Sequence, residues 1–155
     1  MNLADLIGPE AIVPSLKAKN KKQALLELAR KAEDLTGLDQ AVVFEALLQR
    51  ERLGSTGLGR GIAIPHGKLP GLTSVVTVFA RLEEPIPFDS VDNEPVDLVF
   101  LLLAPEHAGA DHLKALARIS RLLREPQAIH KLRTCHDSRA LYAVLTEPIA
   151  AHAAA

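Results

Sequence analysis

The sequence predicts an α/β protein, a three-layer α/β/α sandwich around a central mixed β-sheet. Three observations predict it. Two segments with apolar residues at helical spacing come first, strand-like runs occupy the middle, and three more helical segments follow. A length of 155 residues fits one domain.

The elements follow in chain order. Ala11 to Pro14 reads as a short first strand, with Pro14 suited to an edge or a strand end. Asn20 caps a helix, and Gln23 three positions later completes a capping-box pattern. Leu25, Leu28, Ala29, Ala32 and Leu35 recur at helical spacing until Gly37 stops the helix. Asp39 caps a second helix whose expected buried stripe is Val42, Val43, Ala46, Leu47 and Leu53, with Gly54 closing it. Arg50 therefore falls in the last turn. Ser74 to Leu82 is β-branched and reads as a strand. Val96 to Ala104 is almost continuously apolar, as in a central strand covered on both faces. Pro85, Pro87, Asp89, Asp92, Asn93 and Pro95 predict a turn-rich connection between the two. A helix follows from about Asp111 to Leu123, with Leu113, Leu116, Ala117, Ser120 and Leu123 expected on its inner side. Pro126 opens another helix through Leu132, and Asp137 caps a last one through Leu145. Residues 148–155 read as a flexible tail.

Composition narrows the function. Apolar residues are 48% of the chain, charged residues 24%, and the net charge is −1. With no basic excess, no Trp, one Tyr and four Phe, the chain lacks the charge and stacking surfaces of a nucleic-acid binder. The longest apolar run, Leu98 to Ala104, is far shorter than the roughly 18 residues of a membrane span. The N-terminus lacks the basic region of a secretory signal, and the lone Cys135 fits a reducing compartment, so a cytoplasmic location is expected. Cys135 reads as a passive thiol, and His130, His136 and His152 as surface or tail residues.

The informative segment runs from Arg50 to Lys68. His66 follows a strand-like Ile62-Ala63-Ile64 and Pro65. Gly54, Gly57, Gly59 and Gly61 precede it and Gly67 follows. Backbone N–H groups in such a loop can form an anion-binding concavity. Arg50 offers a planar fork of donors suited to phosphate. A neutral imidazole presents one nitrogen as a nucleophile when the other is held as N–H by a carbonyl. These residues alone leave two readings open, a phosphoryl site or a structural histidine. A nucleotide loop fails because Gly57-Leu58-Gly59-Arg60-Gly61 lacks the dinucleotide spacing and Gly67-Lys68-Leu69 lacks the hydroxyl of a P-loop. A metal reading of His107, Asp111 and His112 fails because the two rings do not share a helical face and no cysteine joins them. Lys17, Lys19, Lys21 and Lys22 read as a solvated basic face.

The pattern of Glu51, six residues, Leu58-Gly59, two residues, then Ile62-Ala63-Ile64-Pro65-His66-Gly67 resembles the phosphorylation-site signature of the IIA component of the bacterial phosphoenolpyruvate-dependent phosphotransferase system (PTS), fructose/mannitol type. The segment from Leu53 to Lys68, and the later Pro87 to Phe100, most resemble its nitrogen-related branch. The resemblance covers residues 5–147. It implies a phosphotransferase/anion-transport-protein-like fold. It implies that His66 is phosphorylated on Nε2 by a histidine phosphocarrier protein, that Arg50 binds the phosphoryl group, and that His112 is a second active-site histidine. It implies no metal or other cofactor, and it assigns Glu51 no firm role.

Two function classes follow. One is a phosphotransferase component that passes the group to a separate IIB protein for sugar uptake. The other is a regulatory protein whose phosphorylation changes its affinity for target proteins, since about −2 of added charge switches an interface. The nitrogen-type motif and the absence of IIB and membrane segments from this chain favour regulation.

Overall fold

The computed structural model describes residues 3–107 and 109–148. Two 3₁₀ turns, Leu3–Asp5 and Pro9–Ala11, lead into β1 (Ile12–Leu16). Helix α1 (Lys21–Thr36) starts where Asn20 Oδ1 accepts the Gln23 N–H at 2.9 Å. Gln23 Oε1 reaches back to the Lys19 N–H at 2.8 Å, one residue beyond the expected capping-box partner. Gly37 ends α1 in the left-handed region, φ 79°. Asp39 caps α2 (Gln40–Arg52) by accepting from the Ala41 N–H. Each such cap contributes about 1 kcal/mol.

The middle of the chain is the sheet. Short strands β2 (Gly57–Gly59), β3 (Ile62–Ala63) and β4 (His66–Leu69) precede the long β5 (Val76–Ile86) and β6 (Val96–Pro105). Among the described residues the six strands run β1-β5-β6-β3-β2, with β4 also on β6. β5/β6 and β2/β3 are antiparallel, whereas β1/β5, β3/β6 and β4/β6 are parallel, so the sheet is mixed. β3 and β4 are one line of chain beside β6. Ile62 pairs with Leu98, and His66 pairs with Leu102 in the same offset, the break falling at Ile64-Pro65. Leu98 to Ala104 of β6 is buried throughout, as expected for a strand covered on both faces. Phe79 and Phe100 pack across β5/β6 with ring centroids 5.0 Å apart.

Helices α3 (Asp111–Leu123), α4 (Pro126–Thr134) and α5 (Ser138–Thr146) complete the chain. α1 and α2 pack on each other and on β5 and β4; α3 and α4 pack on β6 and α5 on β1. The fold is thus the expected three-layer sandwich. Pro14 lies on the edge strand β1, where a missing N–H is tolerated. Pro126 opens α4, and Asp137 caps α5.

Four expectations are corrected. β5 runs on through Pro85 to Ile86, into the segment expected as turn, because the ladder shifts register between Arg81 and Ile86 and resumes at Ile86–Val96. In α2 only Val43 and Leu47 of the expected stripe are fully buried. Val42 is half exposed, and Leu53, just beyond the last turn, is 84% exposed. The core stripe of α3 is Ala115, Ile119, Leu122 and Leu123, while Leu113 is exposed. That helix carries a second apolar stripe, with Leu113 exposed and Leu116 partly buried. Part of the glycine run is strand: β2 and β3 form a small antiparallel pair. Of the expected tail, residues 149–155 lie outside the described residues, as does His152.

Candidate functional site

The last turn of α2 and the first residue of β4 meet. Arg50 Nε donates to His66 Nε2 at 3.2 Å, and Arg50 Nη1 donates to the Gly54 carbonyl at 2.9 Å. On the other side of the ring, His66 Nδ1 lies 2.8 Å from the Ile64 carbonyl. A carbonyl only accepts, so Nδ1 carries the proton and the Nε2 lone pair is left to receive the guanidinium N–H. The backbone under the ring is fixed by β4/β6 pairing and by the Leu102 N–H, which donates to the Pro65 carbonyl at 3.0 Å.

The half-buried His66 opens into a cleft of about 580 Å³. Arg50, Gly67, Lys68 and His112 line it together with Ala46, Leu53, Leu102, Leu113 and Leu116. The outward stripe of α3 and the exposed Leu53 thus form an apolar rim around a basic centre. His112, in the first turn of α3, lines this cleft, and its buried Nδ1 has no hydrogen-bond partner among the described residues. His66, Arg50 and His112 come from three elements and converge on one space.

The glycines before His66 do not surround it. Of the five glycines that flank the histidine only Gly67 lines the cleft. The Thr56 N–H goes to Glu51, the Gly57 N–H to Ser55 Oγ, and the Arg60 N–H to Asp92. This corrects the expectation of a backbone anion cradle there. Gly61 (φ 80°) instead admits Arg133, whose guanidinium pairs with Asp97 at 3.0 Å and donates to the Arg60 carbonyl. A Cβ on Gly61 would meet that guanidinium and lie 2.8 Å from Asp97 Oδ1.

Glu51, which the motif contains without an evident role, is buried. It pairs with Lys21 at 2.7 Å and accepts from both the N–H and the hydroxyl of Thr56. Lys21 is therefore no solvated surface lysine, unlike the expectation for its cluster. It sits at the start of α1, where a cation opposes the helix dipole, and is held by Glu51, by the Phe88 carbonyl at 3.4 Å and by the Phe88 ring, 4.7 Å from its centroid. Periodicity cannot reveal such a pair, since its members are thirty residues apart.

Among the described residues no group of three or more His, Cys, Asp or Glu side chains is placed to hold a metal ion. His107 lines a different hollow from His112. His130 and His136 are exposed, and Cys135 is a free, half-buried thiol at the end of α4. No helix among the described residues is long and apolar enough to cross a membrane.

The family model described as "Phosphoenolpyruvate-dependent sugar phosphotransferase system, EIIA 2" matches residues 5–147. The chain belongs to this EIIA family. Within it, a nitrogen regulatory protein of Bradyrhizobium diazoefficiens is 62% identical over 148 residues, spanning 96% of this chain and 97% of the relative. The nitrogen regulatory protein of Escherichia coli strain K12 is 40% identical, over 95% and 91% of the two chains. The crystal structure of nitrogen regulatory protein IIA-Ntr from Neisseria meningitidis superposes with a TM-score of 0.87 at 36% identity, covering 93% of this chain and 99% of that one. As an EIIA protein the chain is a phosphotransfer component, and the relatives named above are nitrogen regulatory proteins.

Proposed function

We propose that His66 accepts a phosphoryl group on Nε2 from a histidine phosphocarrier protein, and that the modified and unmodified forms regulate target proteins in nitrogen-type control. The observation that carries this reading is the tautomer. Ile64 holds Nδ1–H, so Nε2 is unprotonated at the open cleft, where its lone pair accepts the Arg50 Nε–H. In the transfer, the Nε2 lone pair attacks phosphorus while the donor's P–N bond breaks, and that bond's electron pair stays with the donor's ring. The positive charge that His66 gains is stabilised by the Ile64 carbonyl. The Arg50 N–H releases Nε2 as the new bond forms, and the guanidinium then serves the phosphoryl oxygens. His112 lines the same cleft and supports the negative charge of the group in transit. Lys68 adds a cation at the rim.

The regulatory role is supported by the relatives being nitrogen regulatory proteins and by the near-complete overlap with them. The family description names a sugar phosphotransferase system, and this supports a second reading in which the group passes to a separate IIB protein for fructose/mannitol-type uptake. In either case we place the reaction in the cytoplasm, a reducing compartment that suits the free Cys135. The test is to mix the protein with phosphorylated histidine phosphocarrier and weigh it intact. One added phosphoryl group, mapped to His66 under non-acidic conditions, is expected. Efficient onward transfer to a IIB protein would move the conclusion to the second reading, and a map to another residue would overturn the site.

A further inference from the structure

We propose that Glu51 is a positioning residue for the phosphoryl site, acting on His66 through Thr56 and on Arg50 through the segment 54–56 that it anchors. The proposal rests on the reading of His66 as the acceptor. Thr56 stands between the buried carboxylate and the ring. Its N–H and hydroxyl donate to Glu51, while its own carbonyl accepts the Ile64 N–H at 3.0 Å. Ile64 in turn presents the carbonyl that holds His66 Nδ1. That is one unbroken line from Glu51 to the imidazole.

The second line reaches the guanidinium. Glu51 follows Arg50 in the last turn of α2, and its backbone carbonyl accepts the Gly54 N–H at 3.1 Å. The Gly54 carbonyl then takes the Arg50 Nη1 donor. Residues 54–56 are therefore tied to Glu51 at both ends, through its main chain at Gly54 and its side chain at Thr56. The two lines close on the same imidazole, the first at His66 Nδ1 and the second at Nε2. Lys21 and Phe88 complete the clasp from outside. Lys21 neutralises the carboxylate, and Ser55 Oγ donates to the Phe88 carbonyl at 2.6 Å. The carboxylate is 8% exposed as a residue, too far inside to serve solvent or a partner. A buried charge of this kind needs every partner it has.

Glu51→Gln removes the charge and keeps the shape, and Thr56→Val removes one hydroxyl. Misplacement of a reacting group by about 1 Å can cost about a hundredfold in rate. Both variants should accept phosphoryl from phosphorylated phosphocarrier at least about tenfold more slowly, with Thr56→Ser restoring most of the loss. Two-dimensional ¹H–¹⁵N spectra of the unphosphorylated proteins should show the His66 ring and Arg50 Nε signals displaced in the slow variants and restored in Thr56→Ser. Those spectra need no phosphoryl transfer, so they report on the clasp even if the acceptor were another residue. Should Glu51→Gln fail to fold, Thr56→Val and Thr56→Ser carry the comparison. Folded Glu51→Gln and Thr56→Val proteins with normal acceptance rates and unmoved ring and guanidinium signals would overturn the proposal.

Discussion

Arg50 Nε donates to the same nitrogen of His66, at 3.2 Å, that is proposed to bond to phosphorus. The guanidinium thus occupies the nucleophile's lone pair in the unmodified protein and has to give it up during transfer. Apart from this nitrogen, the partner of its fork is the Gly54 carbonyl, and among the described residues no carboxylate forms an ion pair with it.

His66→Ala should abolish phosphorylation, and Arg50→Lys should slow it by about tenfold or more, because one ammonium cannot reproduce a planar fork. His112→Ala should slow acceptance and leave the adduct at His66. Intact mass against time, with phosphorylated phosphocarrier as donor, measures all three. Uptake at the normal rate by Arg50→Lys would remove the clamp role.

Leu53 and Leu113 are 84% and 58% exposed on either side of the cleft. A protein donor that reaches His66 has to cover them, and apolar anchors at the centre of an interface commonly contribute more than about 1 kcal/mol each. Leu53→Asp and Leu113→Asp should each slow transfer from the phosphocarrier by about fivefold to tenfold. Neither should change phosphorylation by a small donor such as phosphoramidate, which needs no docking surface. Equal loss with both donors would place the defect in the site itself.

How far the sequence discloses this protein depends on the range of the interaction involved. Caps at Asn20, Asp39 and Asp137 and the stop at Gly37 are local, and each is legible from a few neighbours. The continuous apolar run of β6 is equally plain. The outward stripe of α3 defeats periodicity, because Leu113 and Leu116 serve the cleft while the smaller Ala115 and the more distant Ile119 serve the core. β2 and β3 have three and two residues, too few for alternation to register. Arg50, His66 and His112 could be named from motif resemblance. The roles of Glu51 and Lys21 could not, because what assigns them is a contact across the fold. Glycine identity likewise signalled a close approach at Gly61 without telling whether the visitor was a phosphate or Arg133.

Gly61→Ala tests that last point. At φ 80° a β-carbon is strained, and it would collide with the Arg133 guanidinium. The substitution should cost about 1–3 kcal/mol, read as a lower midpoint in urea. Phosphorylation of the remaining folded protein should continue, since Gly61 lies outside the cleft.

Asp92 gives the fold an acid-sensitive turn. Its carboxylate accepts the Arg60 N–H at 2.9 Å and the Glu94 N–H at 3.0 Å, which holds its pKa below the ordinary 3.8. The unfolded chain, with the ordinary value, takes up the proton first as pH drops. The stabilisation is therefore full above pH 3.8 and is lost as pH falls through the lower folded value. A carboxyl ¹³C titration should place the Asp92 midpoint below 3.8, and Asp92→Asn should flatten that part of the stability curve. A midpoint at or above 3.8 would show that these two donors do not act on the carboxylate.

β4 holds His66 in line with the middle of the sheet, in register with Leu102. A receiver anchored in this way cannot travel toward its donor. On the proposed function, every protein that exchanges phosphorus with His66 arrives along the same approach, over Leu53 and Leu113. On the same reading, competition among partners for one doorway follows from the strand order.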